Sequence, residues 1–528
     1  MNLSITKQAV MGFLCGSMVL PAGDLKKEFA TPPDSARMWT WWFWLGDKVD
    51  HASITADLEA MKAQGVCGVT VYSISGPGVG GKGPDYIARC SHMLRQGLFA
   101  ADVLFYNGDQ CPNFVPPKHV DPSLGLGYDY DVCNSEIILT RLGVKNGKIV
   151  LPDGMRYRMM VLPDSTTMTV EVLRKLRKLV GDGMTLVGPK PEAAPGLTDY
   201  PRCDQEVKAL AAELWGACDG KTVTEHAVGK GRVVWGITPR ELLARAGIKP
   251  DFSCAGEKPD SFIDWIHRSV AGGEIYFVAN RLNRTEKTTC TFRVGGMRPE
   301  LWDPVTGTMR ELPEFDDKDG LTSVPLQLDP YESAFVVFQK RSQRNQVKRP
   351  NFPELKTVQE IAGEWQVTFD PRWGGPGQLI FEKLDDWITR PEDGIKLYSG
   401  TAIYHKTFTI AGGAGNRAPL YLSLGSVKYI ARVKLNGKDL GTVWTAPWRV
   451  EISAAVKTGT NELEIDVINL WPNRRIGDAS LPEEKRYTHS NIAFSPINPA
   501  NPPDRSGLFP SGLLGPVMIQ SVTLEDPK

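Results

Sequence analysis

Along this chain of 528 residues the spacing of apolar positions changes character several times, and each change predicts a different kind of structure. Residues 38–45 form a dense apolar run with four tryptophans, which predicts a buried strand. Asp50 is placed to cap a helix in which Ile54, Leu58 and Met61 share one face, with Gly65 at its end. A second continuous apolar run, 66–74, is rich in β-branched residues, as a parallel strand covered on both faces should be. These segments predict one β-α-β unit. The run from Ser75 to Pro84 is too rich in glycine for helix or strand and reads as a joint.

A helix over about 85–96 and a strand over 101–106 then open a second α/β region that extends to about residue 250. Its clearest unit is a strand at 157–162, a helix over 169–180 with Val170, Leu173, Leu176 and Val180 aligned, and a strand at 185–187. An open parallel sheet is the expected form. From Glu274 onward the pattern shortens to strands and turns: 274–279, 288–294 and 334–338 are rich in strand formers, and Asp303-Pro-Val-Thr-Gly307 is a turn, which together predict a small β-sandwich. After a polar, basic linker at 340–349, Leu463, Ile465 and Val467 alternate with Glu462, Glu464 and Asp466, and Asn436-Gly437 is a hairpin signal. With further strands at 404–408 and 517–519, residues 350–528 are expected to form a second, larger sandwich or jelly roll.

Charge and composition narrow the partners. Sixty-one basic and sixty-one acidic residues cancel, so the electrostatic footprint of a nucleic-acid tracker is missing. Nine cysteines form no C-x-x-C pair and are odd in number, which reads as isolated thiols and gives neither a disulfide framework nor a zinc site. Lys7, the apolar run 9–20 and the small residues Ala22-Gly23 make residues 1–23 a candidate signal peptide, implying a periplasmic or secreted protein, with a cytoplasmic one as the alternative. That run is too short to span a bilayer, and no transmembrane segment is predicted elsewhere.

Specific runs carry a resemblance over nearly the whole chain. Trp42-Phe-Trp-Leu-Gly-Asp-Lys-Val-Asp50, Gly127-Tyr-Asp-Tyr-Asp131, Leu301-Trp-Asp-Pro-Val-Thr-Gly307, Trp444-Thr-Ala-Pro-Trp448, Asn473-Arg474, Ile476-Gly-Asp478 and Gly512-Leu-Leu-Gly-Pro516 resemble glycoside hydrolase family 106, the α-L-rhamnosidases. The resemblance implies a multidomain α/β plus all-β fold. Residues 35–80 would be the start of a β/α barrel, 85–250 an α/β domain similar to the amidotransferase-like domain of several glycosidases, 255–340 the small sandwich, and 350–528 a jelly roll resembling the galactose-binding-like domain of family 2 glycosidases. It also implies a rhamnose-containing glycan as partner and, in the family, a calcium ion. Yet 62 positions separate Trp39 from Ala101, whereas a complete barrel takes about 250 residues. The sequence therefore predicts a barrel lacking six of its eight strands, together with the region where the family keeps its acid and base carboxylates. No residue here inherits a catalytic role, and no metal ligand is assigned.

The candidate substrate-binding residues are Trp42, Trp44 and Asp47 at the carboxyl end of the first strand, and Trp444, Trp448, Trp471, Asn473 and Arg474 in the jelly roll. Indoles offer flat apolar faces to sugar rings, and amide and guanidinium groups offer paired hydrogen bonds. The tryptophans can equally be core. Asn469, Arg474 and Asp478 can equally satisfy one another across strand ends. Asp109, beyond the strand at 101–106, stands where an open α/β sheet places a site. After residues 185–187 comes Gly188-Pro189-Lys190, without the cysteine an amidotransferase needs.

Overall fold

A computed structural model of the chain describes residues 22–33, 36–43, 59, 61–62, 66–72, 84–110, 115, 124–341, 349–410, 418–488 and 507–522. The two apolar runs near the N-terminus form strands Trp39–Phe43 and Gly68–Tyr72, paired in parallel from Trp39 opposite Gly68 to Phe43 opposite Tyr72. Of the helix expected between them, Glu59, Met61 and Lys62 are helical. Asp50, Ile54, Leu58, Gly65 and the joint at 75–83 lie outside the described residues.

The α/β region forms the expected open sheet. Its parallel strands stand in the order Tyr130–Cys133, Val103–Tyr106, Met159–Val161, Thr185–Val187, Gly231–Val234, with Glu225–Val228 antiparallel at the edge. Helix Val170–Gly181 buries the expected Leu173, Leu176 and Val180 together with Val172 and Leu179, while Val170 is half-buried. The strand expected over 157–162 is divided. Tyr157 ends a small antiparallel sheet and Met159 starts the parallel one, because the intervening Arg158 gives both its backbone N–H and its Nε to Asp102, each at 2.8 Å.

In the next unit, a four-stranded sheet containing Phe252–Gly256, Glu286–Phe292 and Leu321–Leu328 faces a six-stranded one containing Met297–Trp302, Ser333–Arg341, Gly273–Asn280 and Ile263–Val270. Residues 334–338 are apolar at every position because both faces of that strand are covered. Ala334, Val336 and Phe338 point into the sandwich core, while Phe335 and Val337 meet helices Ala22–Ala30 and Pro84–Leu94. The helix expected near 85–96 thus forms, but its Tyr86, Cys90 and Met93 pack on the sandwich instead of on the parallel sheet. The short strand Leu98–Phe99 continues the sandwich sheet against Ile263–Val270.

Residues beyond 350 form two antiparallel sheets of four and six strands around a core that includes Trp365, Trp387, Tyr404 and Ile465. Thr401–Ile410 pairs along its length with Gly459–Ile468, in which Leu463, Ile465 and Val467 are buried. The hairpin between Ile430–Leu435 and Lys438–Val443 turns on Asn436 and Gly437, both at positive φ, as a two-residue turn matched to strand twist requires. Among the described residues no helix is long and apolar enough to cross a membrane.

Candidate functional site

At one end of the jelly roll, strand Gly459–Ile468 runs into Asn469, Leu470, Trp471 and helix Pro472–Ala479. The polar side chains here turn inward. Asn469 donates to the Tyr398 carbonyl at 2.8 Å and to Ser511 Oγ at 3.0 Å, and accepts from the Gly400 N–H. Asn473 is 1% exposed; it donates to the Phe509 carbonyl at 2.7 Å and accepts from the Phe509 N–H at 2.8 Å. The Arg474 N–H donates to Ser399 Oγ, its Nε stands 3.0 Å from Asp478 Oδ1 as a charge contact without hydrogen-bond alignment, and its guanidinium lies over the Tyr487 ring. Burial pushes the Asp478 carboxyl up, but the Thr488 hydroxyl and N–H, at 2.6 and 2.7 Å, together with Arg474 hold it below the usual range. The buried Asn473 side chain, expected to face a glycan, ties the helix to the loop at 509–511, while Arg474 reaches the loop at 398–400 through its backbone N–H and keeps its guanidinium beside Asp478 and Tyr487.

That brace projects an aromatic surface. Trp471 is 61% exposed, and its ring is perpendicular to that of the half-exposed Trp373, with centroids 6.3 Å apart. Tyr487 stands beside them, 38% exposed and held against Gly374, where a Cβ would come within 2.8 Å of the ring. Gly374 takes φ 80°, so glycine there serves both the backbone and the close approach. Trp373 and Tyr487 were not singled out by the sequence reading. Trp373 is marked only by the Trp-Gly-Gly-Pro turn at 373–376, which any surface loop could carry, and Tyr487 by no local pattern.

The other tryptophans are less available. Trp444 is half-buried and meets Tyr86 edge to face at 5.8 Å, joining the jelly roll to the helix on the small sandwich. Trp448 packs against the jelly-roll core. Trp42 lies in strand Trp39–Phe43, where its backbone pairs opposite Val71; its side chain, Trp44 and Asp47 lie outside the described residues.

Asp109 sits beyond the carboxyl end of Val103–Tyr106, where the order of the parallel sheet reverses. It accepts from Tyr106 Oη and Ser135 Oγ, both at 2.7 Å, and from the Thr169 N–H at 3.3 Å. This carboxylate fastens three elements together at the crevice. Among the described residues no three His, Cys, Asp or Glu side chains converge as a metal site.

The described residues thus form a parallel α/β sheet followed by two antiparallel sandwiches, with an exposed indole pair on the second. Residues 83–316 match the family model described as alpha-L-rhamnosidase, glycoside hydrolase family 106, and residues 385–494 match the galactose-binding domain-like model of glycosyl hydrolase family 2. The chain is a relative of the family 106 glycoside hydrolases. It is similar to the solved structure of a rhamnosidase from Novosphingobium sp. PP1Y, at 34% identity and a TM-score of 0.72, covering 83% of this chain and 40% of that one. It is also 27% identical to a protein of Formosa agariphila that carries a beta-glucuronidase name, covering 82% of this chain and 56% of that protein. The chain thus spans about half the length of the relatives it matches. The Formosa alignment runs over 674 positions, more than this chain contains, so it passes stretches of the relative with no counterpart here.

Proposed function

We propose that this chain binds rhamnose-containing glycans through its jelly roll and has lost most or all of the hydrolysis its family performs. The observation that carries the reading is the brevity of the barrel segment. Two parallel strands, Trp39–Phe43 and Gly68–Tyr72, precede the helix Pro84–Leu94 that covers the small sandwich, and a complete barrel needs about 250 residues. Inverting hydrolysis requires two carboxyl groups about 6.5 to 9.5 Å apart, one kept protonated by an apolar setting. Asp109, with both oxygens committed to internal donors, is not such a group.

Glycan binding is supported by the exposed indoles of Trp471 and Trp373, perpendicular to one another, with Trp471 leading into the braced helix Pro472–Ala479. A pyranose laid on one indole face has the second ring at its edge. Trp42, Trp44 and Asp47 constitute a second candidate rim. The N-terminal segment supports export to the periplasm or beyond. The deciding experiment assays the purified chain, with calcium added, on an aryl α-L-rhamnoside, and measures binding of rhamnose-containing oligosaccharides by calorimetry. Saturable binding without turnover above buffer is expected. Saturable turnover abolished by Asp47→Asn or Asp109→Asn would overturn the loss of hydrolysis, and no heat with any rhamnose-containing ligand would overturn the binding.

A further inference from the structure

Two cysteines that are 36 positions apart in sequence, Cys254 and Cys290, are brought directly opposite one another by the small sandwich. Strand Phe252–Gly256 pairs antiparallel with Glu286–Phe292, and the register sets Phe252 against Phe292 and Cys254 against Cys290. The kind of pair follows from two backbone bonds on the same register. The Arg293 N–H donates to the Asp251 carbonyl at 2.9 Å, and the Glu257 N–H donates to the Lys287 carbonyl at 3.4 Å. Hydrogen-bonded and non-hydrogen-bonded pairs alternate along an antiparallel ladder, so the odd-numbered positions 251 and 257 make position 254 a non-hydrogen-bonded one. There the opposed Cα atoms lie about 4.5 Å apart and the side chains are at their closest, within the separation of about 4.4 to 6.8 Å that a disulfide bridges.

Both side chains are on the core face with Phe252 and Phe292. Cys290 is fully buried, its Sγ 3.4 Å from Thr288 Oγ1, while Cys254 is half-buried and within reach of solvent. Among the described strand pairings, this is the one in which two cysteines face each other. Phe252–Gly256 is also an edge strand, and it follows Asp251, which pairs with Arg293 and His267 within the sandwich. A covalent tie would fasten an otherwise one-sided strand to its neighbour.

We propose that Cys254 and Cys290 are a cross-strand disulfide site, closed by exchange with an external disulfide when the protein resides in an oxidising medium. The Cys254 thiolate attacks one sulfur of the external disulfide, forming a mixed disulfide and releasing one thiol. The Cys290 thiolate then attacks the Cys254 sulfur, forming the Cys254–Cys290 bond and releasing the second thiol. Two protein thiols are oxidised and one external disulfide is reduced to two thiols. Burial pushes the Cys290 thiol up to about 12, which keeps it protonated and makes the closing step the slow one.

The test uses the full chain, reduced and then incubated with oxidised glutathione, alkylated, digested and mapped by mass spectrometry without reduction. The expected result is a glutathione adduct on Cys254 that gives way to joined peptides carrying Cys254 and Cys290, lighter by two hydrogens than the two thiol peptides together. The denaturant midpoint of the oxidised protein should rise and return to its starting value with dithiothreitol. Cys290→Ser should halt at the adduct. A Cys254 adduct that persists in the unsubstituted chain, or both thiols still open to alkylation after unfolding, would overturn the proposal whether or not the variant folds.

Discussion

His267 Nδ1 lies 2.8 Å from Asp251 Oδ2, and the same imidazole presents Nε2 to Glu274 Oε2 at 2.9 Å, so one buried ring is held between two carboxylates. It also stacks on Tyr276, whose hydroxyl donates to Asp251 Oδ1. Arg293 extends the cluster from Asp251 to Asp102, and Arg158 completes it, so the network joins the α/β sheet to the small sandwich. Burial alone would lower the pKa of His267, but Asp251 and Glu274 outweigh it and raise it from 6.5 to about 9.

A raised histidine pKa contributes stability that is fully present below about pH 6.5 and lost as pH climbs through about 9. The melting temperature is therefore expected to fall between pH 7 and pH 10, and His267→Gln is expected to flatten that fall. The variant leaves Asp251 with a buried charge short of one partner, at a cost of about 3 kcal/mol near neutral pH. Calorimetric scans of both proteins across this range check it. A fall of equal size in the variant would mean that other groups govern it.

Glu332 behaves in the opposite sense. Burial foremost, with repulsion from Asp329 and Asp303, pushes its carboxyl up from 4.5 to about 7, although the Asp329 N–H donates to it at 2.6 Å and Arg449 favours its ionised form. The folded state prefers the protonated acid, so stability declines as pH rises from about 4.5 to about 7, and the penalty stays constant above that. Glu332→Gln is expected to raise stability at pH 8 by about 1 to 3 kcal/mol and to change little at pH 4. Denaturant titrations at the two pH values check this.

Asn473→Ala should act on folding before it acts on ligand. The substitution leaves the Phe509 carbonyl and N–H without their side-chain partner, at a cost of about 1 to 3 kcal/mol. Urea unfolding provides the measurement. Unchanged stability combined with lost glycan binding would place Asn473 at the ligand and not beneath it.

Trp471→Ala and Trp373→Ala should do the reverse. Each removes an exposed ring, so the unfolding midpoint should stay near that of the parent while glycan affinity falls by about 1 to 3 kcal/mol, by analogy with stacking of flat rings on aromatic side chains. Trp444→Ala is expected to lower stability, because its ring packs on Tyr86 between two units. Calorimetry of the three variants with one oligosaccharide separates these roles.

The order of structural classes was legible in the sequence because hydrophobic period is a local property. Continuous apolar runs became parallel strands, alternation at 462–467 became the strand Gly459–Ile468, and Asn436-Gly437 became the turn between Ile430–Leu435 and Lys438–Val443. The family resemblance was legible for the same reason, being carried by short runs such as Trp444-Thr-Ala-Pro-Trp448. What a side chain faces is not local. A helix near 85–96 was expected at the opening of the α/β region, but only packing decided that Tyr86, Cys90 and Met93 of Pro84–Leu94 cover the sandwich. Asn473 and Trp471, two residues apart, looked equally suited to a sugar until the turn into helix Pro472–Ala479 sent one inward to the backbone and the other out beside Trp373. Cys254 and Cys290 read as isolated thiols because nothing in their neighbours sets a register, and it was the ladder between their strands that placed them face to face.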